Sequence, residues 1–239
     1  MSGTMVGSTT ISWEWVSRAS GIVAAALAII GVLIAGTNYP GVDASAAEIA
    51  TYYDESHSRI MLTGLIFAIS VTFFFWFLGA IVSTLREAGY GGWAATCLAL
   101  GSVRAALLFV HVSVISALGY RVAQSDSAAV VLAFQDLQWA ARVGSLFPIA
   151  GLVFATAVAF WRAGIFPAWF GWSFMLGGFI VFLGGTTWDQ SGFWAPDGAY
   201  SYVAIGVALA WMFITSGLLL RLPPSPVRAP GRTATMPTP

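Results

Sequence analysis

Polar residues arrive along this chain in bursts, separated by six stretches in which nearly every position is apolar. These run over about 17–37, 58–85, 93–119, 138–161, 167–188 and 200–221. Runs of ~18–20 apolar residues are what a helix needs to cross a ~30 Å hydrocarbon core. Nothing alternates with the ~10-residue segments of a membrane barrel strand. The pattern predicts an all-α integral membrane bundle of six transmembrane helices, filling a single domain over residues 1–222. The first stretch is read as a span, because it lacks the marks of a cleavable leader.

The short polar links sort by charge. Arg18, Arg86, Arg162 and the tail residues Arg221, Arg228 and Arg232 fall on one set of links. The alternate links hold Asp43, Glu48, Asp54, Glu55, Asp126, Asp136, Asp189 and Asp197, against Arg59, Arg121 and Arg142. By the positive-inside rule both termini are cytoplasmic. Trp13, Trp15, Trp93, Trp139, Trp161, Trp169, Trp188 and Trp194 gather near span ends, as an interfacial aromatic belt does.

One outer link has helical punctuation of its own. Ser45 and Glu48 are spaced as a capping box before Ala46–Tyr53, which predicts a short outer helix leading into span two. Glu55 and Arg59 are spaced i,i+4, as a weak stabilising pair. Residues 126–141 read as an outer extension of span four, starting at Asp126 or Ser127. The Pro-rich segment 223–239 is expected to be a disordered cytoplasmic tail.

Inside the spans, small and polar residues mark contact faces, because lipid already satisfies apolar surface. Gly171, Gly178 and Gly185 recur every seven residues in span five, with Gly177 and Gly184 beside them; span one offers Gly21, Ala25, Ala28 and Gly31. Ser56, Thr63 and Ser70 form a stripe on span two, read as packing hydroxyls or the wall of a hydrated cavity. Span four shows Gln135, Gln138, Arg142 and Ser145 on one face, followed by Pro148, where a kink would free a carbonyl. Asp136 and Asp189 are candidate partners for Arg142.

Span three contains the two least expected residues, Arg104 and His111, on one face and ~10.5 Å apart by helix rise. A centrally placed arginine costs ~2.5–3.5 kcal/mol to insert, so something should compensate. The side chain could snorkel toward cytoplasmic headgroups and Glu87, bond to carbonyls or to a hydroxyl such as Ser70, or hold an anion. The anion option is motivated by the spans themselves, none of which places an Asp or Glu at comparable depth. His111 fits a neutral imidazole hydrogen-bonded within the bundle. His57, the other histidine, lies ~12 Å away along the axis, which argues against a bis-histidine haem.

Composition narrows the chemistry further. The 239 residues are 58% hydrophobic and 8% charged, against ~25% charged in soluble domains. All ten basic residues are arginine, so a lysine Schiff base is excluded. Cys97 is alone, which removes internal disulfides and cysteine metal clusters. Zero net charge without a basic patch argues against nucleic acid. No metal site, cofactor motif or catalytic signature stands out.

Three strings carry a resemblance: AAEIATYYDESHSRI (46–60), GIFPAWFGW (164–172) and AWMFITSGLLLRL (210–222). On them the chain resembles uncharacterised multi-pass membrane proteins of actinobacteria. The resemblance implies a bacterial plasma membrane and no particular activity. The expected function is non-enzymatic: a small apolar or anionic molecule bound in a cavity open to the outer face, for transport, sensing or lipid association. Candidate ligand-binding residues are Arg104, His111, His57, Arg59, Tyr53, Gln138, Arg142, Trp188 and Asp189. The alternatives are a membrane-embedded hydrolase using His57 or His111 with outer carboxylates, and a structural subunit of a larger membrane complex. The partners expected are the bilayer, a small-molecule or lipid ligand and a second membrane protein.

Overall fold

A computed structural model describes residues 13–36 and 38–223. Residues 223–239, read above as a disordered tail, lie outside the described residues apart from Pro223. All regular structure among the described residues is helical. The elements are α1 (Trp13–Ala35), α2 (Ala46–Glu55), α3 (His57–Glu87), α4 (Gly91–Tyr120), a 3-10 turn (Val122–Gln124), α5 (Ala128–Gly144), α6 (Leu146–Arg162), α7 (Ala168–Gly184) and α8 (Ala199–Leu220). Five segments are long and apolar enough to cross a membrane: α1, α3, α4, the α5–α6 pair and α8. At 17 residues, α7 is apolar but shorter.

The helices close a ring. α1 packs on α3, α3 on α4, α4 on α5 and α6, α6 on α7, α7 on α8, and α8 returns to α1. Both described ends lie together, because Arg18 Nη1 and Nη2 donate to the carbonyls of Leu222 (2.8 Å) and Pro223 (3.2 Å), while Glu14 pairs with the same guanidinium at 2.5 Å. We call this the terminal end of the ring and the opposite one the α2 end.

Glycine sets the spacing of α6, α7 and α8. A Cβ on Gly171 would stand 2.8 Å from Trp161 Cβ; on Gly178, 3.1 Å from Phe154 Cβ; on Gly185, 2.8 Å from Phe147. Three large residues seven apart on α6 thus sit over three glycines seven apart, two on α7 and one at its C-cap, in antiparallel register. Gly177 and Gly184 line the other side, against Val207 and Ala204 of α8. Backbones come this close only where side chains are absent, and dispersion then replaces the missing hydrophobic drive. Gly21 serves the same role where α1 meets Phe77 and Ser216. The stripe on α3 also packs: Thr63 donates to Arg59 O, Ser70 crosses to Ala24 O at 2.7 Å, and Ser56 accepts from Arg59.

The capping box forms as expected. Ser45 N donates to Glu48 Oε2 at 2.8 Å and Glu48 N to Ser45 Oγ at 3.3 Å. The bonds that Ser45 N and Ser45 Oγ donate to Glu48 Oε2, both at 2.8 Å, hold the exposed Glu48 carboxyl below the usual carboxylate range. The Glu55–Arg59 spacing does not act as an i,i+4 pair, because the helix breaks at Ser56 between them. Arg59 instead donates to Ser56 Oγ at 2.6 Å, lies over the Tyr52 ring and packs against Gly36. Gly36, with φ of +88°, makes the turn out of α1.

Two further boundaries depart from the sequence reading. Span four begins at Ala128, with Ser127 at the N-cap position as read from the sequence, but breaks at Ser145, one turn before Pro148. Proline there lacks the N–H that would bond the Gly144 carbonyl, and its ring crowds that same carbonyl. The helix of span five ends at Gly184 rather than 188, where Thr186 and Thr187 hydroxyls turn back to the carbonyls of Leu183 and Gly184.

Candidate functional site

Two hydrophobic clusters divide the bundle. The larger fills the terminal end and middle, from Ala24, Phe77 and Ala105 to Leu146, Phe160 and Trp211. The smaller lies at the α2 end, around Ile49, Tyr53, Ile60, Val114, Leu118 and Val131. Along α4 the switch between them falls between Ala105 and Val114; along the α5–α6 pair it falls between Val131 and Leu146. His111 on α4 and Gln135, Gln138, Arg142 and Ser145 on the α5–α6 pair fall in this gap, with Arg104 at its edge.

An antiparallel register places them. Arg104 on α4 donates from Nη1 to Ser145 Oγ at the α5–α6 break. Seven residues on, His111 Nδ1 meets Gln138 O at 2.9 Å, seven residues back along α5. A carbonyl can only accept, so the His111 proton sits on Nδ1 and Nε2 is left as the free ring position. Ser145 donates its own hydroxyl hydrogen to Arg142 O at 2.5 Å and is therefore the acceptor for Arg104. Arg104 thus turns to the neighbouring helix, and Ser70, once considered as its partner, bonds to α1 instead.

Arg142 follows on the same face. Its guanidinium carbon lies 4.8 Å from the Trp139 ring centre and 5.3 Å from that of Tyr202 on α8. It is within electrostatic reach of Tyr202, Tyr39 and Asp197. Neither Arg104 nor Arg142 forms an ion pair with a carboxylate among the described residues. The proposed partners lie elsewhere: Asp136 is exposed, and Asp189 is exposed in the α7–α8 link, its N–H bonded to Trp194 O. Asp197, the carboxylate nearest in influence, accepts from Val42 N at 3.3 Å.

One turn from Arg142, at the level of His111, lies an unsatisfied amide. Gln138 is fully buried, and neither its Nε2 nor its Oε1 has a partner among the described residues. One turn away, Gln135 donates Nε2 to Pro40 O at 3.1 Å, which fixes the orientation of its amide and leaves Oε1 without a donor. Trp139 Nε1 and Ser201 Oγ are buried and unpaired as well. Each such group costs roughly 1–3 kcal/mol when left dry. They gather on α5 and at the start of α8, around Arg142.

Aromatic rings from the α1–α2 link and from α2 cover the α2 end of this layer. Tyr39 contacts Tyr52, Tyr53 and Trp139 edge-on, with ring centres 5.5, 6.4 and 5.9 Å away. The Tyr39 and Tyr53 hydroxyls bond at 2.9 Å, and Tyr52 donates to Ala35 O at 2.8 Å. Burial pushes the Tyr39 and Tyr53 phenols well above their ordinary range.

The nine candidate residues therefore separate into three places. Arg104, His111, Gln138 and Arg142 share the polar layer, and Tyr53 belongs to its cover. His57 and Arg59 line an open cleft of about 580 Å3 with Asn38, Asp54, Glu55, Ser56 and Ser58. There His57 Nδ1 meets Gly119 O at 2.7 Å, so both histidines bond backbone carbonyls rather than carboxylates. Trp188 and Asp189 are exposed in the α7–α8 link. No group of three metal-ligating side chains occurs among the described residues. Tyr39, Tyr202 and Asp197 were not singled out in the sequence as site residues. They lie at a link, near a helix start and in a loop, where no periodicity points inward.

No protein-family model matches the chain, and neither a curated protein nor a solved structure is significantly similar to it.

Proposed function

We propose that this protein is a non-enzymatic, six-span membrane protein that binds a small anion in the polar layer between α4, α5 and α8, reached from the outer face. The observation that carries this reading is the buried, unpaired Gln138 amide one turn from Arg142, in a layer whose two guanidinium groups, Arg142 and Arg104, form no ion pair with a carboxylate among the described residues. An anion there would neutralise both cations and fill the amide's missing bonds. Arg142 and the half-exposed Tyr202 lie side by side, which favours access along the α5–α8 seam. The cleft at His57 carries Asp54 and Glu55 and is a poor door for an anion.

Membrane placement belongs to the same proposal. The α2 end is the outer one, since its links carry the carboxylates while Arg18, Arg86, Arg162 and Arg221 gather at the terminal end. Five crossings would separate the chain ends across the bilayer, yet Arg18 bonds Leu222. That contact favours α7 as a sixth crossing; at ~25 Å it asks for a modest local thinning of the bilayer. The resemblance noted on the three strings favours a bacterial plasma membrane.

Titration calorimetry of the detergent-purified protein with small oxyanions tests the reading. Binding is expected in the native protein and is expected to weaken at least tenfold in Arg142→Met. A folded protein that binds no oxyanion would overturn it.

A further inference from the structure

Resting on the anion reading above, we infer that the bound anion must itself carry a hydroxyl donor, as hydrogen phosphate and a singly protonated phosphate monoester do and sulfate does not. The inference comes from the acceptors of the layer rather than from its cations. Arg104, Arg142 and Trp139 Nε1 supply donors only, and any oxyanion satisfies them. Gln138 Oε1 and Gln135 Oε1 are acceptors, both buried and both without a donor.

Neither can be relieved by turning the amide over. Gln135 is fixed by Pro40 O, which must receive an N–H. Gln138 has both ends unpaired, so one acceptor remains in either orientation. They stand one turn apart on α5, on the face that carries Arg142. A fully deprotonated anion would turn oxygen lone pairs toward these carbonyl oxygens. A monoprotonated one can spend its O–H there and its other oxygens on the guanidinium groups. Sites that require a substrate hydroxyl discriminate strongly against analogues lacking it, because a buried polar group is left unpaired.

Two sources offer this chemistry, free hydrogen phosphate and the singly protonated phosphomonoester headgroup of a lipid such as phosphatidic acid. The half-exposed Tyr202 beside Arg142 leaves the lipid route open.

The test compares inorganic phosphate with sulfate at pH 7, by calorimetry on the full chain in phosphatidylcholine nanodiscs with and without phosphatidic acid. Phosphate is expected to bind about tenfold or more tightly than sulfate, in line with the cost of a buried unpaired acceptor. Gln138→Leu should lose part or all of that preference while keeping the fold, since it removes a buried group that has no partner. Competition by phosphatidic acid would assign the site to the lipid headgroup, and its absence to the free ion; either supports the inference. Equal affinity for the two ions, or a preference for sulfate, overturns the donor requirement and leaves the anion site standing. Failure of phosphate, sulfate and phosphatidic acid alike overturns both.

Discussion

The bond from Arg104 to Ser145 is the place where a sequence ambiguity becomes a measurable energy. If Arg104 reached the headgroups instead, Ser145→Ala would cost only its hydroxyl's bond to Arg142 O, and that loss would be the same whatever residue stood at 104. With the bond in place, Ser145→Ala also strips a guanidinium of its one acceptor. Interhelical hydrogen bonds in membranes contribute about 0.6–1.7 kcal/mol, and bonds to charged groups about 1.5–3 kcal/mol. A coupling of about 1.5 kcal/mol between Ser145→Ala and Arg104→Met is therefore expected. Arg104→Met alone should be close to neutral, since it removes a cation with no carboxylate beside it and keeps most of the apolar stem. The assay is reversible unfolding in mixed micelles, followed by tryptophan fluorescence in the native protein, both single variants and the double variant. A coupling below about 0.3 kcal/mol would refute the register that joins α4 to α5, and with it the placement of His111 against Gln138.

Other parts of the structure predict as directly. Gly178→Val should destabilise by about 1–3 kcal/mol through overpacking, because its Cβ would meet Phe154 Cβ at 3.1 Å and Ala150 O at 3.2 Å. Gly206→Ala, on the same bundle but with open space at its Cβ, should be neutral or gain up to about 1 kcal/mol, and thermal denaturation in detergent separates the two. Tyr39 and Tyr53 are held neutral by burial, so their folded values lie above the ordinary phenol value of ~10. Stability should be unaffected by them below pH ~10 and fall as pH climbs toward the folded values. Tyr39→Phe combined with Tyr53→Phe should flatten that alkaline loss, read from unfolding midpoints across the pH series.

Much of the architecture was legible because membranes write it in coarse letters. Apolar length located the helices within a few residues, and the seven-residue glycine spacing of α7 announced a contact face without naming its partner. The capping box at Ser45 and Glu48 was equally readable, since all its atoms lie within four residues. The Glu55–Arg59 pair failed for the converse reason: i,i+4 spacing presumes one continuous helix, and the chain breaks between the two residues. Arg104 shows the deeper limit. Its depth was visible in sequence, but its partner Ser145 is 41 residues away, and only the antiparallel register reveals that they meet. Tyr39 and Tyr202 were invisible for a related reason: one lies in a link and the other on a half-exposed helix face. Pro148 signalled a kink, and the break appears one turn upstream, where the carbonyl it cannot satisfy is located.

The clasp at the terminal end also bears on how the molecule is made. Arg18 bonds carbonyls at residues 222 and 223, so its final partners do not exist until all eight helices have left the ribosome. Until then Glu14, one turn away, can hold the guanidinium, and α1 waits beside α3 with the small residues of its other flank uncovered. α8 is the closing stave: only its arrival covers Gly21 with Ser216 and brings Tyr202 alongside Arg142. A chain truncated before α8 should therefore leave the ribosome as an open stack of helices, with α1 and α7 each short of a neighbour. Quality control in the membrane would have unpartnered glycine faces to recognise.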